Sequence, residues 1–317
     1  MEPPFRLNNY LIPKEMIKKK ILLTEILSVL GDKVIGVDGA IQDFFIDNLA
    51  EVERVNETTL DWINPSKQNK QEIAESSKAR VLLVDESVAP IPGKTLIRVK
   101  NPKVALAEVG NHFFVEKPKS GIHPTALIDP EAVIGKDVAI GPYSIIGKAV
   151  IGDCCVIDSN VRIYDDVVMG KCCVVKAGAV LGGAGFGYER DTEGNKFRFP
   201  QIGQLIMGDY VEVGSNTCID RGALADTVIG DYTKINNLCH IAHNNKIGRN
   251  VTITGCVNVS GSNVIDDDVW IAPNSSMRGW VHIGKGATVG MGAVVVKDIP
   301  EHETWVGNPA RKLEKKA

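Results

Sequence analysis

An aliphatic residue recurs at every sixth position through most of the sequence after Gly121. An earlier stretch with this spacing, interrupted by one five-residue step, extends from Ile122 to Leu181. A helix repeats about every 3.6 residues and a half-buried strand every two, so neither produces a period of six. Twelve consecutive positions then keep the phase: Ile229, Ile235, Ile241, Ile247, Ile253, Val259, Ile265, Ile271, Met277, Ile283, Val289 and Val295.

A second position in each unit supports the same interpretation. Four residues after each of the twelve stands a second residue, and nine of these are Ser, Thr, Ala, Val or Cys. Large and small inward residues in alternation are typical of a parallel β-helix, in which six residues make one short strand and one turn. Three units make one triangular coil, so residue i+18 lies directly above residue i, at a strand spacing of about 4.8 Å. General crossover chirality alone would favour right-handed winding.

The repeat divides the chain. Residues 1–120 lack it and are predicted to form a small α/β domain, 121–300 the β-helix, and 301–317 a short tail. The expected elements of the first domain are helices over 21–30 and 102–114, the second capped by Asn101, and strands over 80–84 and 95–99.

Charge and hydropathy exclude several classes of protein. The formal net charge of −3 gives no basic field for nucleic acid. No segment has the 18 to 20 apolar residues, roughly, that a membrane span needs. The apolar stretch 21–30 carries Glu25 and lacks a cleavage site, so we expect a helix rather than a signal peptide, and a cytoplasmic protein. Seven cysteines in a chain of this size are expected to be reduced thiols.

Two breaks in the phase are the places where a flat-sided solenoid can build a site. The first, 182–204, contains Gly, Phe and Tyr that would wall a pocket; a solvent-exposed flap is the alternative. The second covers 220–228.

His243 is the candidate general base. It falls in the longest unbroken run, and Gly261 and Gly279 follow it by one and two coils. A glycine stacked beside a histidine leaves room for a ligand and offers a bare backbone N–H, an arrangement suited to acyl transfer. The alternative is an ordinary surface histidine.

Other polar positions in the repeat have simpler explanations. Asn245 and Asn263 lie one coil apart at the small inward position, where a hydrogen-bonded asparagine ladder is favoured. The cysteine pairs at 154–155 and 172–173 also stack, and would offer four thiolates to a metal. Because Cys155 and Cys173 occupy inward positions, we expect compact apolar residues and no metal site.

Several segments resemble one family. They are GIHPTA at 121–126, GFG at 185–187, PQIG at 200–203, VEVG at 211–214, IDRGAL at 219–224, TVIG at 227–230 and IAHN at 241–244. With these segments the chain resembles the UDP-3-O-(3-hydroxyacyl)glucosamine N-acyltransferases of lipid A assembly, which are hexapeptide-repeat enzymes. Weaker similarity extends into the first domain, at 64–65 and 100–102.

The resemblance implies a left-handed β-helix, a homotrimer and no bound cofactor or metal. His243 would deprotonate the amine of a nucleotide-linked amino sugar as it attacks a thioester of coenzyme A or acyl carrier protein, with the Gly261 N–H holding the oxyanion. The first domain would bind uridine. The remaining site residues that the resemblance implies are Trp62 and Asn64 in that domain, and Phe186, Gln201, Asn244 and Gly279 beside the histidine.

The chain departs from the family pattern at several positions. Asn236 stands where the family has an Asp near the histidine, and Trp280 stands where it has a second His. Asp61 and Lys67 replace the aromatic residues that stack on uracil, which leaves Trp62 for that role. The C-terminal end looks like acetyl-CoA-dependent members, and Lys297 and Arg311 would then meet the phosphates of coenzyme A.

Three alternatives follow. One is an acetyl- or short-acyl-CoA-dependent N-acetyltransferase for surface polysaccharide. A second is a γ-type carbonic anhydrase, which would need zinc on His240, His243 and His282. The third is a scaffold without catalytic activity.

Overall fold

The computed structural model describes residues 20–40, 44–116 and 118–314. The chain forms two compact units, Met1–Lys117 and Pro118–Ala317. Within the described ranges, no helix is long and apolar enough to cross a membrane.

The first unit contains a four-stranded sheet with the order Val34–Asp38, Thr95–Val99, Val81–Val84 and Leu60–Trp62, of which the first pair is antiparallel. Its helices are α1 (Leu23–Leu30), α2 (Lys70–Ser76) and α3 (Pro102–Phe113), with short 3-10 turns at Gly31–Lys33 and Val52–Arg54.

Helix α1 is shorter than the predicted 21–30. Ile21 and Leu22 pair instead as a strand with the antiparallel strand Phe45–Ile46. Helix α3 begins as predicted, because the Asn101 side chain accepts a hydrogen bond from the Val104 N–H at 3.2 Å and so caps the first turn.

The second unit is a parallel β-helix with three flat faces, which confirms the predicted fold class. Face A consists of Gly121–Ile122, Ala139–Ile140, Val156–Ile157, Val174–Val175, Glu212–Val213, Lys234–Ile235, Thr252–Ile253, Trp270–Ile271, Thr288–Val289 and Thr304–Val306, with Arg311–Lys312 antiparallel at its end. Face B consists of Leu127–Ile128, Ile145–Ile146, Arg162–Ile163, Val180–Gly183, Cys218–Asp220, His240–Ile241, Asn258–Val259, Ser276–Met277 and Val294–Val295. Face C consists of Val133–Ile134, Val150–Ile151, Val167–Met169, Leu205–Met207, Thr227–Ile229, Lys246–Ile247, Val264–Ile265 and His282–Ile283.

The two phase breaks are loops, and the strands on either side of them still pair, with one irregularity of register between Leu181 and Gly183. On face B, Leu181 pairs with Ile219, and Ile219 pairs in turn with Ile241. The extra residues therefore leave the solenoid between one strand and the next. Part of the first insertion forms a hairpin from Tyr188–Arg190 and Lys196–Arg198.

The inward positions pack the core as the repeat predicts. From Val138 onward the large and small inward residues of each unit are both buried, which removes apolar surface from water along most of the axis, whereas Ile122 in the first unit is 50% exposed. Asn245 and Asn263 form the predicted ladder: Asn245 Oδ1 accepts from the Asn263 N–H at 3.0 Å, and Asn263 Oδ1 accepts from the Val281 N–H at 2.9 Å. Cys155 and Cys173 are buried at the same small inward position of units that follow face C.

Candidate active site

A groove of about 730 Å³ opens at the corner that follows face B, where both phase breaks occur. Residues of both insertions and of three successive turns of this corner line it, so the insertion at 182–204 walls a pocket. The lining residues are Phe186, Gly187, Tyr188, Glu189, Phe199, Gln201, Ala223, Leu224, Ala225, His243, Asn244, Ser262, Asn263, Val264 and Trp280.

The hydrogen bonds of Asn244 determine which nitrogen of His243 carries the proton. Asn244 Oδ1 accepts from the Ala223 N–H at 3.1 Å, and its Nδ2 donates to the Ala225 carbonyl at 2.8 Å. These two bonds fix the orientation of the amide, so the oxygen faces His243 Nδ1 at 2.8 Å. In the neutral imidazole Nδ1 must therefore carry the hydrogen and donate it, which leaves the lone pair on Nε2.

Two glycines enclose the His243 ring. A Cβ on Gly261 would lie 2.8 Å from Cε1 and 3.0 Å from Nε2, and a Cβ on Gly185 would lie 2.9 Å from Cδ2. Gly261 belongs to the turn one coil above the histidine, as the i+18 rule predicts. Its N–H has no acceptor within the described part of the chain. Gly279 lies one coil further on, since a Cβ there would be 2.8 Å from the Gly261 carbonyl oxygen.

The rim of the groove is apolar and open. Phe186 is 80% exposed, Trp280 82% and Leu224 65%. The Phe186 ring contacts Tyr188 edge-on, with the centroids 5.0 Å apart. The backbone N–H of Trp280 donates to the Gly261 carbonyl at 3.3 Å, so Trp280 belongs to the turn one coil beyond Gly261. Apolar side chains of this size left in water indicate a surface that another molecule covers.

Three predicted residues are not brought to this groove. Asn236 follows face A while His243 follows face B, so the two lie at different corners of the coil. The Asn236 side chain accepts from the Asn237 N–H at 2.8 Å, and the side chain that contacts His243 Nδ1 is Asn244. Lys297 and Arg311 are exposed and do not line the groove.

The first unit holds its two candidate residues in local contacts. Trp62 is half-buried and packs against the core of this unit, so only part of its ring faces solvent. Asn64 Oδ1 accepts from the Ser66 N–H at 3.0 Å and stabilises a turn.

The three histidines of the carbonic anhydrase hypothesis each have a different hydrogen-bond partner and do not converge on one point. His240 donates to Asp220 at 3.2 Å, a hydrogen bond that raises the pKa of its imidazole, and His282 pairs with Asp266 at 2.8 Å. Among the residues that the structure describes, no group of three or more His, Cys, Asp or Glu side chains has a geometry that would hold a metal ion.

Sequence reasoning missed the residues that hold the histidine from the insertion side. Gly185 lies in a segment quoted for the resemblance, but nothing in its spacing places it against His243. The spacing also gives no indication that Ala223 and Ala225 hold Asn244, to which their backbone groups are hydrogen-bonded. Thr227 Oγ1, which accepts from the Asn244 N–H at 2.8 Å, was also not predicted.

The chain is similar to enzymes of one kind. Residues 148–183 and 264–297 match the bacterial transferase hexapeptide (six repeats) family. A UDP-3-O-acylglucosamine N-acyltransferase of Coxiella burnetii is 35% identical over 293 residues, which are 86% of this chain and 84% of that protein. UDP-3-O-acylglucosamine N-acyltransferase 1 of Francisella tularensis is 37% identical over 315 residues, covering 92% and 90%.

Solved structures show the same solenoid. The UDP-N-acetylglucosamine O-acyltransferase of Moraxella catarrhalis superposes with a TM-score of 0.56 at 28% identity. The matched part covers 61% of this chain and 73% of that one.

Proposed function

Because the chain belongs to the UDP-3-O-acylglucosamine N-acyltransferase family, we propose that the groove around His243 is its reaction centre. The enzyme transfers an acyl group from a thioester donor to the amine of a nucleotide-linked amino sugar. One observation carries the assignment of the site: the contact with Asn244 leaves the Nε2 lone pair of His243 free, beside an unused backbone N–H on Gly261.

The mechanism follows from these two groups. As the amine attacks the thioester carbon, a C–N bond forms and His243 Nε2 takes a proton from the nitrogen. The negative charge that develops on the carbonyl oxygen is stabilised by the Gly261 N–H. When the tetrahedral intermediate collapses, the C–S bond breaks and the imidazolium returns the proton to the leaving sulfur. Asn244 stays hydrogen-bonded to Nδ1 throughout and keeps Nε2 directed at the reacting atoms.

The proposal also covers the identity of the acyl donor and the oligomeric state of the enzyme. The donor is acyl-CoA or acyl carrier protein, made in the cytoplasm, where we place the enzyme. The acyl chain of the donor would lie along the apolar rim of Phe186, Leu224 and Trp280. We propose a homotrimer, as the resemblance implies, and the exposure of this rim supports a neighbouring subunit or a ligand as its cover.

The nucleotide is assigned to the first unit. We propose that the exposed part of Trp62 stacks on the base and that Asn64 contacts the nucleotide. The half-buried position of Trp62 supports a rigid stacking surface, because little side-chain entropy is lost on binding.

The test is thiol release from acetyl-CoA, longer acyl-CoAs and 3-hydroxyacyl carrier protein, each with UDP- and dTDP-amino sugars. We expect turnover with a UDP-3-O-acylglucosamine acceptor and formation of an amide. Turnover only with acetyl-CoA and a different amino sugar would support the surface-polysaccharide alternative. No amide from any pair would contradict the proposed function.

Asn244→Ala is expected to lower kcat by about 10- to 100-fold, because the imidazole loses the bond that fixes its tautomer and position. Alanine at a φ of +63° also costs stability. Asn250→Ala is the matched control, since Asn250 is the corresponding turn residue one unit later, with a φ of +56°. Steady-state kinetics and thermal unfolding should show a similar stability cost in both variants and a kinetic loss at position 244 alone. Equal kinetic losses would contradict the role of Asn244.

A further inference from the structure

Gln201 presents a buried acceptor that no group of the protein satisfies. Its Oε1 is the one buried side-chain nitrogen or oxygen without a hydrogen-bond partner in the described ranges. A buried carbonyl oxygen loses its bonds to water, so it is unfavourable unless a donor arrives. Gln201 also lines the groove of His243. The missing donor is therefore expected from the molecule that enters this groove.

The orientation of the amide is set by its other end. Gln201 Nε2 donates to the Phe199 carbonyl at 3.4 Å. A flipped amide would bring its oxygen against that carbonyl oxygen, and two acceptors facing each other repel. The bond to Phe199 therefore keeps Oε1 as the atom left without a partner.

The orphan oxygen lies close to the side chain of the histidine. The point where a Cβ on Gly185 would stand is 2.8 Å from Gln201 Oε1, 2.9 Å from His243 Cδ2, the ring carbon bonded to Nε2, and 3.0 Å from His243 Cβ. The oxygen and the edge of the imidazole therefore border the same small space. Because position 185 is a glycine, this space is free of side-chain atoms.

An amine nucleophile has the donor that this oxygen lacks. A neutral primary amine carries a lone pair and two N–H groups. The lone pair forms the new bond to carbon and one N–H gives its proton to His243 Nε2. The other N–H persists in the tetrahedral intermediate and in the product amide. It needs an acceptor at every stage.

We propose that Gln201 Oε1 accepts the second N–H of the attacking amine and thereby makes the site selective for amines over hydroxyl groups. A hydroxyl nucleophile has a single O–H, which the base takes, and it would leave Gln201 unsatisfied. Sites that hydrogen-bond a substrate N–H discriminate strongly against analogues that lack it, because the site's own polar group is then unpaired. The inference rests on the proposed function and adds to it the residue that selects nitrogen.

The test compares Gln201→Leu with the wild-type enzyme on two acceptors, UDP-3-O-acylglucosamine and the UDP-3-O-acylglucose that has a hydroxyl in place of the amine. We expect kcat/KM for the amine to fall by about 10- to 100-fold, while the slow rate with the hydroxyl stays the same or rises. The ratio of amide to ester formation falls by the same factor. Thermal stability should not fall, since the variant removes an unsatisfied buried acceptor.

Two further variants make the result decisive. Gln201→Met removes the acceptor with an unbranched side chain and serves if the leucine variant does not fold. Gln204→Leu makes the same change three residues along the insertion and should keep the wild-type ratio. An equal loss on both acceptors, or no loss on the amine, would overturn the role of Gln201. A wild-type enzyme that forms no amide would instead overturn the proposed function itself.

Discussion

His243→Ala is expected to lower kcat for acyl transfer by about 10³-fold, the order that a positioned general base contributes. The loss should be in kcat rather than KM, because the imidazole acts on the proton that moves in the transition state. The half-buried ring lies in a turn outside the inward columns, so thermal unfolding should change little. The measurement is steady-state amide formation, with the molecular mass in solution followed in parallel.

His282→Ala is the control for the loss of a histidine in general. His282 lies on face C, is exposed and pairs with Asp266. Activity within a few-fold of wild type is expected. If His243→Ala kept full activity, the alternative of a scaffold or of a different reaction centre would gain support, and the mechanism above would be wrong.

Gly261→Ala is expected to lower kcat by about 10²-fold. The added methyl group would lie 2.8 Å from His243 Cε1 and 3.0 Å from Nε2, closer than real contacts allow, so the ring must move. The bond from Nδ1 to Asn244 would be strained or broken by this movement, and a displacement of about 1 Å at a reacting atom can cost 10²-fold in rate. The methyl group also occupies the space next to the N–H that we propose stabilises the oxyanion.

Gly255→Ala provides the matched comparison. Gly255 is the corresponding turn residue one unit earlier, and a Cβ there would meet nothing closer than 3.7 Å. Both variants remove the same backbone freedom, so their stabilities should change alike while only Gly261→Ala loses activity. A Gly261→Ala enzyme with wild-type kcat would show that the histidine does not react beside this glycine.

The solenoid and part of its site can be predicted from residue spacing. The six-residue period fixes which side chains face inward, and the 18-residue coil places Gly261 and Gly279 in one column with His243. The same rule predicts the ladder of Asn245 and Asn263. These contacts are predictable because each coil repeats the geometry of the one before it.

The other half of the site is outside the reach of this rule. The insertion at 182–204 has no periodicity, so its spacing does not place Gly185 or Gln201 against the histidine, and Gln201 was expected there from the family resemblance alone. Asn236 was assigned to the site from the family resemblance alone, and it lies at a different corner of the coil from His243. The resemblance gave Asn244 as a site residue, and its three bonds to the 223–227 segment, which orient its amide toward His243, could not be predicted from the spacing.

The strands of face B pair across both insertions, and this pairing has a consequence for how the molecule folds. Each strand on face B finds its partner across a loop, and the loops that enclose the groove are the longest of that face. Closing a longer loop costs more chain entropy, although the cost grows slowly with length. In a solenoid each coil is stabilised by its neighbours, so order can begin in the regular stretch from Ile229 to Val295 and spread outward. The groove requires the pairing of Leu181 with Ile219, so its two walls come together only where the coils on either side of the first insertion have stacked.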